Sequence, residues 1–122
     1  MSGKSILVAD DDDVFLRLAE RDLTRAGYSV IEAHDGEEAL RIAKSLRPNL
    51  ILLDINMPKI DGGEVASQLR SYPLTKDIPI IYLTSMLTKE EEREIGGNIK
   101  GNFIVAKPYD PEALLAYISR RI

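Results

Sequence analysis

The sequence contains no cysteine and no tryptophan, and it has a single histidine among 122 residues. Without cysteine the chain can form neither a disulfide framework nor a thiolate metal site, and this composition is compatible with a reducing compartment. No apolar run approaches the length of a membrane-spanning helix, and the N-terminus lacks the apolar core and cleavage site of a signal peptide. We therefore expect a cytoplasmic protein without membrane contacts.

The charge and composition narrow the class further. The formal net charge is −4 and the basic residues are scattered, which weighs against direct nucleic-acid binding, because affinity for phosphates comes from clustered Lys and Arg. Hydrophobic residues at 44% and charged residues at 30% are typical of a globular domain. Since no repeat or low-complexity linker divides the chain, we expect one domain over residues 1–122.

Five short apolar runs recur along the chain, several of them apolar at consecutive positions. They lie at residues 5–9, 28–33, 50–54, 79–84 and 103–106. Strands buried on both faces have this pattern, which favours a parallel sheet covered by helices. Segments with helical periodicity separate the runs, so the chain is expected to alternate strand and helix and to form a doubly wound α/β sheet with helices on both faces.

Several helix boundaries are marked by residue type. Gly27 follows the first helical segment as a C′ residue, and Asp110 with Pro111 predicts an N-cap followed by proline at the first helical position. The third helix is expected at about residues 64–71, ending before Pro73. A fourth helix is expected within residues 88–102, where apolar residues are few and glycines frequent.

Four consecutive aspartates, Asp10 to Asp13, follow the first apolar run. Other polar side chains stand at the ends of later runs: Asp54 ends the third, Thr84 ends the fourth, and Lys107 follows the fifth. In doubly wound sheets, functional groups gather at the carboxyl ends of the strands. We therefore expect the first two aspartates to meet the other three side chains at one edge of the sheet.

Three adjacent carboxylates raise one another's pKa unless a cation lies between them. Oxygen ligands without His or Cys suit Mg²⁺ or Mn²⁺ better than Zn²⁺. Asp54 is then the expected nucleophile for forming an acyl phosphate, with Thr84 and Lys107 neutralising the phosphoryl oxygens. Taken singly, each of these residues has an ordinary explanation as a cap, a turn residue or a surface lysine, so the prediction depends on their joint placement.

Five segments in this order resemble the receiver domain of two-component response regulators, of the single-domain chemotaxis-regulator type. They are ILVADD, AHDGEEAL, LILLDINMPKIDG, YLTS and AKPY, and the resemblance spans nearly the whole chain. It implies a flavodoxin-like fold with a five-stranded parallel sheet of order 2-1-3-4-5 and five helices. It also implies that a histidine kinase or phosphotransfer protein passes a phosphoryl group to an aspartate with Mg²⁺, switching a surface that binds a downstream protein or effector domain.

Matching the motifs residue by residue implies specific roles. Asp11, Asp54 and the main-chain carbonyl of Asn56 would contact the metal, and Asp10 would assist, commonly through water. Asp54 would be the phosphoacceptor, Thr84 and Lys107 would bind phosphoryl oxygens, and a cis peptide bond would precede Pro108. Asp12 and Asp13 would instead lie where the first helix begins and favour its N-terminus.

One position departs from the family pattern, and two others are implied to control the rate of autodephosphorylation. Ile104 stands where many receivers have an aromatic switch residue, and Phe103 should face the opposite side of the sheet. Asn56 could orient an attacking water, whereas Met86 offers no useful hydrogen bond. We predict a moderate to long phosphoryl lifetime, which a hydrolysis half-life of seconds would contradict.

Three other functions would leave different residues in the sequence. A phosphatase or phosphotransferase using Asp54 would normally carry a second aspartate two residues later, where this chain has Asn56. A phosphorylation-independent scaffold would have lost an acidic residue, the acceptor or the lysine, and none is lost. A flavin module would need a Ser/Thr/Gly-rich phosphate loop where the aspartates stand. His34, in AHDG, is predicted to be a turn residue without a ligand or base role.

Overall fold

The computed structural model describes residues 3–85, 98–99 and 102–122. The strands are β1 (Ser5–Ala9), β2 (Ser29–Ala33), β3 (Leu50–Asp54), β4 (Ile80–Thr84), β5 (Asn98–Ile99) and β6 (Asn102–Ala106). The helices are α1 (Asp13–Arg25), α2 (Gly36–Leu46), α3 (Gly62–Ser71) and α4 (Pro111–Ser119). None of the helices in these ranges has both the length and the hydrophobicity needed to span a bilayer.

The strands form one sheet in the order β2-β1-β3-β4-β6-β5. The five longer strands are parallel and coincide with the five apolar runs, so the predicted order 2-1-3-4-5 is confirmed. The two-residue β5 pairs antiparallel with β6 at the edge and has no counterpart in the prediction. The described ranges contain four of the five predicted helices, and most of residues 88–102, where the other was expected, lies outside them.

Two hydrophobic cores lie on opposite faces of the sheet. The first packs α1 and α4 against the strands and includes Phe15, Leu23, Leu52, Val105, Leu114 and Ile118. The second packs α2 and α3 against the other face and includes Leu7, Leu40, Ile51, Leu53, Val65 and Leu69. All five residues of β3 are buried, which explains why this central strand is continuously apolar up to Asp54.

Each of the four described helices begins directly after an aspartate whose carboxylate accepts backbone N–H bonds. These N-caps are Asp12, Asp35, Asp61 and Asp110. The predicted caps before α1 and α4 are confirmed, including Pro111 at the first position of α4, and Gly27 has the expected positive φ of 97°. Helix α3 starts two residues earlier than predicted, at Gly62, because Asp61 caps it through a 2.9 Å bond from the backbone N–H of Glu64.

Gly62 brings the start of α3 against the end of β3. A Cβ atom built on Gly62 would lie 2.5 Å from the carbonyl oxygen of Asp54 and 2.8 Å from the Cα of Ile55. The backbone N–H of Gly62 also donates to the Ile55 carbonyl at 2.9 Å. The loop after Asp54 is therefore closed by a backbone contact that a side chain would prevent.

Candidate functional site

Three aspartates meet at the carboxyl edge of the sheet. One carboxylate oxygen from each of Asp10, Asp11 and Asp54 lies within 4.8 Å of the other two. Asp10 is fully buried and Asp54 is 4% exposed, while Asp11 is open to solvent. The topology produces this cluster, because β1 and β3 are parallel neighbours whose C-termini end at the same edge.

Both carboxylate oxygens of Asp10 have partners. Its Oδ1 accepts the backbone N–H of Asp12 at 2.9 Å, and its Oδ2 accepts the Lys107 ammonium at 2.6 Å. The Asp10 backbone N–H donates to the Ala33 carbonyl on β2 at 3.0 Å. A buried charge held in this way is paired and positioned.

Asp54 is less fully compensated than Asp10. Its Oδ1 accepts the backbone N–H of Asn56 at 3.3 Å, and its Oδ2 lies 3.7 Å from the Lys107 Nζ. Burial and then the charge of Asp10 raise the pKa of the Asp54 carboxyl to about 6, with Lys107 acting in the opposite direction. A further positive charge at this edge would therefore stabilise the ionised form of Asp54.

Thr84 and Lys107 come from the two strands beyond β3. Thr84 ends β4 and is 6% exposed, and its carbonyl accepts the Lys107 backbone N–H at 2.9 Å. The Lys107 side chain is 14% exposed and reaches back across the strand ends to both buried aspartates. The peptide bond between Lys107 and Pro108 is cis, as the family resemblance implied.

The composition of the cluster suits a hard divalent cation. Its three ligand atoms are carboxylate oxygens, the donor type that Mg²⁺ prefers, and Mg²⁺ usually takes one or two carboxylates and keeps water at its other positions. Asn56 is exposed two residues beyond Asp54, and its backbone N–H already holds one Asp54 oxygen. These residues fit the cation that the sequence predicts.

An aromatic pair that sequence reasoning missed lies beside the lysine. The Lys107 Nζ lies 4.5 Å from the centroid of the Phe15 ring, and Phe15 meets Tyr109 edge-to-face at 5.7 Å with an interplanar angle of 88°. The Tyr109 hydroxyl donates to Asp22 Oδ2 at 2.6 Å. Phe15 lies on α1, and the sequence pattern does not reveal that this helix packs against the segment after β6.

His34 follows β2, as predicted for a turn residue, and forms more bonds than that prediction implies. Its backbone N–H donates to Glu38 Oε1 at 2.6 Å, and its Nδ1 lies 3.1 Å from the same oxygen. Its Nε2 is 3.5 Å from Asp13. The hydrogen bond to Glu38 raises the pKa of His34, so the protonated ring would link the starts of α1 and α2.

Ile104 occupies the position of the aromatic switch residue of many receivers. It is 7% exposed and pairs with Tyr82 across β4 and β6. Met86 and the side chain of Phe103 lie outside the described residues.

Comparison with known proteins agrees with this geometry. Residues 6–119 match the family model of the response regulator receiver domain. The alkaline phosphatase synthesis transcriptional regulatory protein PhoP of Bacillus subtilis is 40% identical over 116 residues, which are 95% of this chain and 47% of PhoP. The chain thus spans about half the length of the curated relatives it matches.

Solved structures support the same assignment. The chemotaxis protein CheY4 of Vibrio cholerae is 31% identical with a TM-score of 0.83, covering 99% of this chain and 100% of CheY4. The receiver domain of the sensor histidine kinase PA1611 of Pseudomonas aeruginosa, solved with a magnesium ion coordinated in its active-site cleft, is 29% identical with a TM-score of 0.83, covering 98% of both chains. With its sheet order, its acidic edge and a family match over residues 6–119, this chain belongs to the response regulator receiver domains of two-component signalling systems.

Proposed function

We propose that this receiver domain accepts a phosphoryl group on Asp54 from the phosphohistidine of a histidine kinase or phosphotransfer protein. The observation that carries the proposal is the position of Asp54 at the end of the central strand, beside two other carboxylates and 3.7 Å from the Lys107 ammonium. A carboxylate in this setting has a nucleophilic oxygen, and the lysine ammonium is close enough to bind the phosphoryl group that the carboxylate receives. We further propose that residues 1–122 form one such domain.

In the transfer step, Asp54 Oδ2 attacks phosphorus while the bond between phosphorus and the histidine nitrogen breaks. The nitrogen keeps the electron pair of the broken bond, and the new bond joins phosphorus to the aspartate oxygen. The Asn56 N–H holds Oδ1, which leaves Oδ2 to face the incoming group. Since the pKa of Asp54 is about 6, most of the carboxyl is ionised and able to attack near neutral pH.

The proposed ligands for Mg²⁺, or for Mn²⁺ in its place, are Asp10, Asp11, Asp54 and the carbonyl of Asn56. When bound, the cation supplies positive charge that offsets the three carboxylates and the entering phosphoryl group. The related PA1611 receiver holds a magnesium ion in its active-site cleft, which supports this assignment. Asp10 is already bonded through both oxygens, so its contribution is best made through water.

Lys107 and Thr84 are the proposed ligands of the phosphoryl oxygens. The Lys107 ammonium now bonds Asp10 at 2.6 Å, and a phosphoryl group on Asp54 Oδ2 would place a stronger acceptor within its reach. Thr84 ends the neighbouring strand and can donate its hydroxyl to the same group. Movement of these two side chains toward Asp54 would shift a pre-existing equilibrium between surface states that a downstream protein or effector domain distinguishes.

On this proposal the domain catalyses its own phosphoryl uptake and loss and acts on no separate substrate. The phosphorylation-independent scaffold is less well supported, because the acidic pair, the acceptor and the lysine are all present and lie together. A scaffold would have no need to keep Lys107 paired with two buried aspartates.

Intact-mass spectrometry after incubation with acetyl phosphate and Mg²⁺ tests the proposal. We expect one phosphoryl adduct in the wild type and none in Asp54→Asn or after chelation of the metal. Asp77→Asn, in the segment before β4, is a matched control that should be labelled like the wild type. Failure to label the wild type, under conditions that label another receiver domain, would overturn the proposal in favour of the scaffold.

A further inference from the structure

We propose that Phe15 is a positioning residue for phosphoryl transfer, because its ring holds the Lys107 ammonium beside Asp54. The inference rests on the proposed function, since it assigns Phe15 a role only through Lys107. The aromatic contact of the lysine has no role in the phosphorylation chemistry proposed above.

The Lys107 ammonium has two kinds of partner. The first are carboxylates, Asp10 Oδ2 at 2.6 Å and Asp54 Oδ2 at 3.7 Å. The Phe15 ring lies over the same nitrogen, 4.5 Å from the ring centroid. This distance is within the roughly 6 Å over which a ring face attracts a cation.

Lysine needs such an additional contact more than arginine would. Its ammonium is a compact charge on a flexible four-carbon stem, so carboxylate partners at its tip still leave the stem alternative conformations. The Lys107 side chain is 14% exposed, and an aliphatic residue in place of Phe15 would cover it without attracting the charge. The ring therefore favours the conformers in which the ammonium stays at the strand ends.

Phe15 is itself held at both its backbone and its ring. The N-cap Asp12 accepts the Phe15 backbone N–H at 3.3 Å, which fixes the first turn of α1. The Tyr109 ring meets the Phe15 ring edge-to-face, and the Tyr109 hydroxyl is anchored on Asp22 at 2.6 Å. Burial and the bond to Asp22 raise the pKa of Tyr109, so this hydroxyl remains a donor throughout the working pH range.

Packing alone could also account for a phenylalanine at this position. Phe15 is 8% exposed and belongs to the core between the sheet and helices α1 and α4. A packing residue can be replaced by another apolar residue of similar size with a loss of stability only, whereas a cation-holding residue needs an aromatic ring. The test must therefore distinguish the effect of the aromatic ring from the effect of side-chain volume.

The experiment compares three variants with the wild type: Phe15→Leu, Phe15→Tyr and Leu23→Ala. Leu23 is fully buried in the same core, about two turns further along α1, and its truncation controls for general destabilisation. The first measurement is the rate of phosphorylation by acetyl phosphate with Mg²⁺, at a temperature where every variant is folded. We expect Phe15→Leu to lower the rate about 3- to 10-fold, and the other two variants to stay within about twofold.

The second measurement is NMR of the Lys107 side chain in the unphosphorylated, metal-free protein. A ring over the nitrogen should shift the ε-methylene protons upfield and slow the exchange of the ammonium protons. Both signatures should persist in Phe15→Tyr and Leu23→Ala. Phe15→Leu removes the upfield shift in any case, so the discriminating result is faster exchange of the ammonium protons in Phe15→Leu alone, which a purely structural role would not produce.

The outcomes separate the two proposals. If the wild type is not phosphorylated, the proposed function fails. If the wild type is phosphorylated and Phe15→Leu reacts at the same rate, the positioning role is wrong while the proposed function stands. An equal loss of rate in Phe15→Leu and Leu23→Ala also overturns the positioning role, because packing then accounts for both.

Phenylalanine analogues with increasing ring fluorination at position 15 provide a second test if Phe15→Leu does not fold. They keep the volume of the ring nearly constant while weakening its attraction for a cation. The rate should fall stepwise with fluorination, and a constant rate across the series would overturn the inference.

Discussion

Asp10 and Asp54 are both buried carboxylates at strand ends, and their surroundings give them different chemistry. Both oxygens of Asp10 are bonded at 2.9 Å or less, so its charge is compensated inside the folded protein. Asp54 accepts one longer backbone hydrogen bond, at 3.3 Å, and lies 3.7 Å from the Lys107 ammonium. Its pKa rises to about 6 because of burial and the charge of Asp10. The fixed carboxylate suits a structural and metal-binding role, whereas the less compensated one suits a nucleophile.

The raised pKa of Asp54 predicts that this residue destabilises the metal-free protein at neutral pH. The folded state holds the Asp54 proton up to about pH 6, whereas the unfolded chain releases it near the ordinary value of about 4. The stability that the protonated Asp54 carboxyl contributes is therefore fully present below about pH 4 and is lost as the pH rises through about 6. Asp54→Asn should raise the free energy of unfolding by about 2 kcal/mol at pH 7.5, with a much smaller effect at pH 4.

Urea denaturation of both proteins in a chelator measures this difference at each pH. The exposed neighbour Asp11 provides the control, because Asp11→Asn should change stability less than Asp54→Asn at pH 7.5. A stability gain for Asp54→Asn that did not depend on pH would contradict the pKa argument.

The four consecutive aspartates divide their roles at the start of α1. Asp10 and Asp11 directly follow β1 and belong to the carboxylate cluster. Asp12 instead caps the helix by accepting the N–H groups of Val14 and Phe15 at 2.9 and 3.3 Å. Asp12→Ala should therefore cost about 1 kcal/mol of stability. Asp13→Ala, which removes a carboxylate inside the first turn, should cost only a few tenths of a kcal/mol. Equal losses in denaturant unfolding would show that capping does not distinguish these two residues.

At the scale of elements, the contact between α3 and the end of β3 depends on a missing side chain. Gly62→Ala would place a Cβ atom 2.5 Å from the Asp54 carbonyl oxygen, so the helix or the strand end must shift. We expect a loss of about 2 kcal/mol or more, since the obstructing atoms are backbone. We also expect slower phosphorylation, because the displaced strand end carries Asp54.

Gly63→Ala is a matched control at the adjacent position of the same helix. Its Cβ atom would come within 3.3 Å of the Asp61 carboxylate, which is the end of a side chain and can adjust. Alanine also favours the helix over glycine by about 1 kcal/mol. Chemical denaturation should find Gly63→Ala close to the wild type in stability, and a loss as large as that of Gly62→Ala would contradict the steric explanation.

The elements differ in how far the sequence could predict them. Consecutive apolar positions identified all five parallel strands, because strands buried on both faces have no polar alternation. The convergence of Asp10, Asp54 and Lys107 followed from topology alone, since parallel strands end at one edge. The contacts of Phe15 with Lys107 and Tyr109 were not predictable, because they depend on how α1 packs across the sheet. The start of α3 was misplaced because Gly62 and Gly63 have low helix propensity, which the cap at Asp61 overcomes.

At the scale of the whole molecule, a cation at the acidic edge would couple folding to metal binding. A cation that binds the folded domain and not the unfolded chain raises the free energy of unfolding by an amount that grows with its concentration. Because the carboxylates must be ionised to bind a metal, this gain should depend on pH. The proposed metal site would therefore have a thermodynamic signature that can be measured without any phosphorylation.

We predict that Mg²⁺ raises the unfolding temperature of the wild type at pH 7.5 and that this increase becomes much smaller at pH 5. Between these values Asp54 takes up a proton, since its pKa is about 6 before metal binds, and protonation removes one of the three carboxylates that face the cation. Thermal unfolding with and without Mg²⁺ measures the increase at each pH, with Na⁺ at equal ionic strength as the control for screening. Asp11→Asn should reduce the increase at pH 7.5, whereas Asp77→Asn, away from the cluster, should leave it unchanged. An equal Mg²⁺ effect in the wild type and Asp11→Asn would place the cation elsewhere on the molecule.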